Sequence, residues 1–194
     1  MCDQTASIPG NCEKAKRLVR RLPIFRRFVR NERGVTAIEF GFLATPFFML
    51  FMAIIETSLM FFASELLESS VDEIARKVRT GQYAEKYPSG MSEADFKSEV
   101  CGEIAFLFDC TKLAVDLQAV NDIDSLQDKP VINSDGELNS DAYGYAEPGA
   151  QQVVKLTASY EWPTFSNYMA RYMTKLASGN WPLNAIAVFV TEPF

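Results

Sequence analysis

The 194-residue chain contains no histidine. Histidine is the commonest general base and metal ligand, so its absence excludes Ser-His-Asp and Cys-His catalytic sets. The sequence also lacks a glycine-rich phosphate-binding loop, a Cys-x-x-Cys pair and the acidic spacing of a calcium-binding loop. We therefore predict that the protein is not an enzyme and holds no metal or other cofactor. A hydrolase with paired carboxylates remains the alternative, although no motif indicates one.

Positive charge is scarce outside the N-terminus. Residues 1–34 hold nine basic and three acidic residues, a net charge of +6, whereas residues 35–194 hold ten basic and 22 acidic residues, a net charge of −12. In membrane proteins the positively charged flank stays on the cytoplasmic side. The asymmetry predicts a cytoplasmic head and an acidic body across a membrane. Because this orientation accounts for the basic charges, we expect no nucleic-acid binding.

A long apolar segment follows the basic head. Residues 40–55, sixteen in number, carry no charge, and Glu39 and Glu56 flank them. A helix over residues 35–62 measures roughly 42 Å, which is enough to cross a bilayer. A cleavable secretory signal is the alternative, but its apolar region is shorter, about 7–15 residues, and is followed by small residues. We therefore predict a retained membrane anchor.

The helix is predicted to continue beyond the membrane. After Phe62, large aliphatic residues recur at the spacing of one helical face, and charged residues cover the other faces. Basic residues up to Arg79, followed by Gly81, favour a helix end there. We expect residues 63–80 to pack on their own domain, and a coiled coil with a partner is the alternative. The aliphatic positions are Leu67, Val71, Ile74 and Val78.

The rest of the chain mixes helix and strand signals. Ser92 followed by Asp95 predicts a helix start, and residues 122–149, rich in Asp, Asn, Ser, Gly and Pro, predict a long surface loop. Three further segments alternate between apolar and polar residues, which is typical of strands. We predict an α+β fold, in which the long N-terminal helix packs on a small antiparallel sheet. The alternating segments are residues 111–121, 152–162 and 183–191.

The four cysteines divide between the two ends of the predicted membrane anchor. Cys2 and Cys12 lie in the basic head, where a reducing cytoplasm would keep them as thiols. Cys101 and Cys110 lie nine residues apart in the acidic body, at a predicted helix-to-strand junction. In an oxidising compartment this pair would form a local disulfide. Two buried free thiols are the alternative.

Aromatic and methionine residues form a stripe near the C-terminus. Stripes of this composition are usually part of a core, and we predict a core role. A helix that lies on the membrane surface or docks a partner is the alternative. The stripe consists of Phe165, Tyr168, Met169, Tyr172, Met173 and Leu176.

The boundary between head and anchor carries a recognisable motif. The chain reads G-V-T-A-I-E-F from Gly34 to Phe40, which resembles the prepilin motif of the Flp, or tight-adherence, branch of type IV pilins. Later stretches resemble the TadE-like family of pseudopilins. The resemblance implies a pilin-like α+β fold. These stretches are I-I-E-T at residues 54–57, V-D-E-I-A-R-K-V-R-T-G-Q at 71–82, L-A-V-D-L at 113–117, Y-E-W-P at 160–163 and V-F-V-T-E-P-F at 188–194.

The resemblance implies a processing and assembly signal. A prepilin peptidase would cut between Gly34 and Val35 on the cytoplasmic side and free an amino group at Val35. An isolated charge is costly in hydrocarbon, so Glu39 would pair with this amine, in its own helix or in the next subunit. The processing and assembly motif implied by the resemblance comprises Glu39 and the following Phe40. The alternative places Glu39 in the headgroup layer beside Arg33, without a special role.

Glu56 is the second acidic residue of the apolar helix. It lies 17 residues after Glu39, about 25 Å farther along the helix axis. We expect its carboxylate to reach the outer interface of the membrane. A contact with a second pseudopilin or with an inner-membrane platform is the alternative.

The resemblance also implies a place in the cell and a set of partners. It predicts a cytoplasmic leader at residues 1–34, a transmembrane helix at 35–62 and a periplasmic domain at 63–194 of a bacterial inner-membrane protein. The partners would be a prepilin peptidase, other pilins or pseudopilins and the inner-membrane assembly platform. The function would be pilus assembly and surface adherence, inside the filament or in priming it. An uncleaved single-pass scaffold of a secretion or pilus complex is the alternative.

Overall fold

The structure, a computed structural model, describes residues 34–166, 171 and 176–193. The predicted basic leader before Gly34, with Cys2 and Cys12, lies outside the described residues, as does the middle of the aromatic stripe. The chain divides into two compact units, Met1–Leu50 and Phe51–Phe194. The described part of the first unit is the beginning of a helix, and the second unit holds the sheet.

Helix α1, Val35–Arg79, extends over 45 residues. Its second half buries the predicted aliphatic face, with Leu67, Val71 and Ile74 almost wholly inaccessible to solvent. The predicted helix end is also confirmed. Gly81 adopts a left-handed conformation with φ of 73°, which glycine tolerates without strain, and its N–H donates to the Val78 carbonyl at 3.1 Å.

Two short helices follow, α2 at Gln82–Lys86 and α3 at Glu93–Gly102. Ser92 is the N-cap of α3, and its hydroxyl oxygen accepts the N–H of Asp95 at 3.2 Å. This bond satisfies one of the free donors of the first turn. The predicted helix start is therefore confirmed.

Three strands form one antiparallel sheet in the order β1-β2-β3. Strand β1 is Ala114–Val120, β2 is Val153–Trp162 and β3 is Trp181–Val190. Each strand lies within or overlaps one of the three segments predicted from alternation. The α+β class predicted from the sequence is confirmed, with a long helix followed by a small antiparallel sheet.

The hydrophobic core lies on one face of the sheet. Val154, Leu156 and Ala158 of β2 are fully buried, in one cluster with Leu67 of α1 and Val100 of α3. These side chains alternate along β2, as a strand with one face against a core requires. The second half of α1 is therefore covered by its own domain, as the sequence predicts.

The segment between β1 and β2 lies on the surface but is fastened to the edge of β1. The backbone of Leu117 exchanges hydrogen bonds with Gly144 and Ala146, at 2.8 and 2.9 Å. Asp116, which is buried, accepts hydrogen bonds from Lys129 Nζ at 2.6 Å and from the Gly144 N–H at 2.9 Å. The loop therefore supplies the partners that a buried carboxylate needs.

Candidate functional site

The predicted cleavage site lies at the first residue of the described chain. Gly34 is exposed and directly precedes α1. A Cβ atom built on Gly34 would meet no atom within 4 Å. The fold of the described residues therefore does not require glycine at this position.

Glu39 lies in the second turn of α1 and is exposed. Its neighbours Ile38 and Phe40 are exposed as well. Across residues 34–166, 171 and 176–193, no hydrogen bond or ion pair involves the Glu39 side chain. The carboxylate is thus a charge on an apolar surface without a partner among the described residues.

The first half of α1 has the character of a membrane anchor. Within the described residues, one helix, Thr36–Arg79, is long and apolar enough to cross a membrane. Hydroxyl groups along it bond to carbonyls of their own helix, which spares them an unpaired state in lipid. The Thr45 hydroxyl donates to Gly41 at 2.8 Å, and Ser58 donates to Ile54 at 2.7 Å.

Glu56 is held by a distant part of its own chain. Its side chain is only 8% exposed. Oε1 accepts the backbone N–H of Phe165 at 2.7 Å and that of Ser166 at 3.2 Å. The Glu56 side chain is thus bound by the backbone of its own chain, a contact that the sequence pattern did not predict. A signal for it was present, since a lone acid in an apolar helix needs donors.

Cys101 and Cys110 are joined by a disulfide, with their Cα atoms 5.7 Å apart. Cys101 is buried at the end of α3, and Cys110 lies just before β1. The intervening Phe108 packs edge-on against Tyr160, with ring centroids 4.8 Å apart. The bond thereby ties the end of α3 to the core beside the sheet.

Comparison with known proteins identifies the segment that contains Gly34, Glu39 and Glu56. Residues 34–76 match a family model described as TadE-like protein. This segment is TadE-like. A search of curated proteins and a search of solved structures find no match for the chain.

The TadE-like segment begins at Gly34 and ends at Arg76, three residues before the end of α1. It therefore contains the glycine, both acidic residues of the apolar half and the first part of the amphipathic half. The match agrees, over residues 34–76, with the TadE-like resemblance predicted from the motif.

Proposed function

We propose that this protein is a pseudopilin or minor pilin of a tight-adherence pilus system, processed by a prepilin peptidase after Gly34. The observation that carries the proposal is that the TadE-like match begins at Gly34, directly before an apolar helix. Pilus assembly and surface adherence are the processes it would serve.

Gly34 suits a peptidase site for a steric reason. The residue is exposed, and a side chain there would touch nothing in the described structure. The chain itself has no need of glycine here, whereas an active site that approaches the backbone closely does. The cut between Gly34 and Val35 would leave α1 intact and remove the basic leader.

Cleavage would create a new charge at the start of α1. The ammonium of Val35 and the carboxylate of Glu39 lie about one helical turn apart in sequence. Glu39 makes no hydrogen bond or ion pair among the described residues, so its carboxylate is open to pairing with the amine of its own helix or of a neighbouring subunit. Such pairing offsets part of the cost of a charge in hydrocarbon, about 2.5–3.5 kcal/mol on insertion scales.

The orientation follows from the charge distribution. The net charge of +6 over residues 1–34 favours a cytoplasmic leader, and the acidic body then lies in the periplasm. The disulfide between Cys101 and Cys110 agrees with an oxidising compartment. The protein would meet the peptidase at the inner membrane and then join other pilins or pseudopilins on the assembly platform.

Intact mass spectrometry of the membrane-extracted protein tests the processing step. In cells with an active pilus system, the mature chain is expected to begin at Val35. Gly34→Leu should block this cut, because the side chain obstructs the peptidase. Gly41→Leu is the matched control, since Gly41 lies nearby in α1 and an added Cβ there also meets no atom of the described residues within 4 Å.

Two results would contradict the proposal. A chain that retains residues 1–34 in such cells would identify an uncleaved inner-membrane scaffold instead. Equal processing of Gly34→Leu and the unaltered chain would remove the role assigned to the glycine.

A further inference from the structure

The contact between Glu56 and the segment at the start of the aromatic stripe, residues 163–166, joins two distant parts of the sequence. Phe165 lies 109 residues after Glu56, yet its N–H donates to the Glu56 carboxylate at 2.7 Å. The neighbouring Ser166 N–H donates to the same oxygen at 3.2 Å. Hydrogen bonds to a charged acceptor are roughly twice as strong as neutral ones. The carboxylate therefore fixes the position of this segment along α1.

In the proposed anchoring, this position falls at the outer edge of the membrane. A span of about 20 residues that begins at Phe40 ends at Leu59. Glu56 lies about one helical turn before that end. A carboxylate without donors would be unfavourable at this depth, and the two peptide N–H groups of residues 165 and 166 supply donors. The bonds also satisfy the two N–H groups, which would otherwise need water.

The surface around this contact is apolar and open. Phe165 is 73% exposed although its backbone is held against α1. On α1 itself, Leu59, Phe61 and Phe62 remain exposed, while Met60 and Ala63 are buried by the domain. Transfer of an exposed phenylalanine side chain from water into an apolar medium is favourable. In the proposed anchoring, the apolar medium at the level of Glu56 is lipid.

We propose that the segment formed by residues 163–166 is a second membrane contact, in which Glu56 positions the backbone and Phe165 enters the outer leaflet of a lipid bilayer. The proposal rests on the membrane anchoring assumed in the proposed function, but not on processing or pilus assembly. In this arrangement, the unit that holds the sheet contacts the membrane through residues 163–166.

Spin-label accessibility in the full-length protein tests this contact. Cys2→Ser and Cys12→Ser remove the free thiols, and a nitroxide is attached at Phe165→Cys in nanodiscs of phosphatidylethanolamine and phosphatidylglycerol. Ile123→Cys is the matched control, because Ile123 is also an exposed apolar residue of the same unit. Met49→Cys, in the middle of the apolar run, reports whether α1 is inserted.

The expected result is a ratio of oxygen to nickel-chelate accessibility several-fold higher at position 165 than at position 123, and highest at position 49. Glu56→Ala should lower the ratio at position 165 towards that at position 123. Glu56→Gln should leave it high, because the amide oxygen still accepts both N–H groups.

Each other outcome overturns a defined part of the proposal. A label at position 165 that is as open to the nickel chelate as the label at position 123, with position 49 in lipid, overturns the membrane contact alone. A ratio that does not change in Glu56→Ala overturns the positioning role of Glu56. A label at position 49 that is accessible to the nickel chelate would show that α1 is not inserted. This result would overturn both the membrane contact and the anchoring assumed in the proposed function.

Discussion

Two acidic residues of the same apolar helix differ in their surroundings. Glu56 is buried and receives two backbone hydrogen bonds from its own chain. Glu39 is exposed and makes no side-chain hydrogen bond or ion pair in the described part of the chain. Both positions are costly for a charge in lipid. Glu56 already has its partners within the subunit, whereas Glu39 is suited to a partner that appears on processing and assembly.

We predict that Glu39→Ala leaves processing largely intact and abolishes co-assembly with pilus components. The reason is that the variant keeps Gly34 but loses Glu39, the one acidic residue in the sequence between positions 35 and 55. Processing is measured by intact mass, and assembly is measured by crosslinking and by the recovery of sheared pili.

Two variants serve as controls for Glu39. Glu65→Ala removes an exposed acid from the distal half of the same helix and should assemble normally. Glu39→Asp keeps the charge and should retain part of the assembly. Normal piliation by Glu39→Ala would remove the pairing hypothesis.

At the scale of elements, α1 combines two different kinds of helix. Its first half exposes large apolar side chains on all sides, as a lipid-facing helix does, and its second half buries a single stripe. α1 extends from Val35 to Arg79 as one helix. The second half contributes its buried stripe to the core cluster that also contains β2.

We predict that Leu67→Ala destabilises the domain by about 2–5 kcal/mol, the range for emptying a packed leucine site. Leu67 is 0% exposed in the core cluster. Leu66→Ala is the matched control, since Leu66 is only partly buried beside the same cluster and should lose much less. Thermal unfolding of the full-length protein in detergent, followed by near-ultraviolet circular dichroism, measures both. Equal losses would mean that α1 does not pack through the Leu67 face.

At the scale of the whole molecule, charge and cysteine chemistry divide the chain in the same place. Residues 1–34 carry a net charge of +6 and two cysteines, and residues 35–194 carry a net charge of −12 and the disulfide. A disulfide that closes so short a loop stabilises the domain by roughly 2–3 kcal/mol in the chain-entropy description. The proposed topology places these two parts of the chain in compartments of opposite redox state.

We predict that the cysteines report this topology directly. In cells that lack the prepilin peptidase, the full-length precursor should carry two free thiols, Cys2 and Cys12, and one disulfide between Cys101 and Cys110. Alkylation before lysis, followed by peptide mass spectrometry, measures each site. Cys101 and Cys110 recovered as alkylated thiols would contradict a periplasmic body.

Local sequence patterns alone determined where most helices and strands of this protein begin and end. The extent of α1, its end at Gly81, the Ser92 cap and the three strands each follow from neighbouring residues, since periodicity and capping act over a few positions. The glycine-to-glutamate motif is local as well, and it indicated the TadE-like segment. Neither periodicity nor composition indicates which side chains meet across the fold.

Tertiary structure alone decided the long-range contacts. The bonds from Phe165 and Ser166 to Glu56 span more than 100 residues, and Lys129 and Gly144 reach the buried Asp116 from within a segment that reads as a surface loop. A buried charge must find donors, but the sequence does not say where they come from, because any nearby polar group satisfies the requirement. The folded chain selects these partners by bringing them within hydrogen-bond distance.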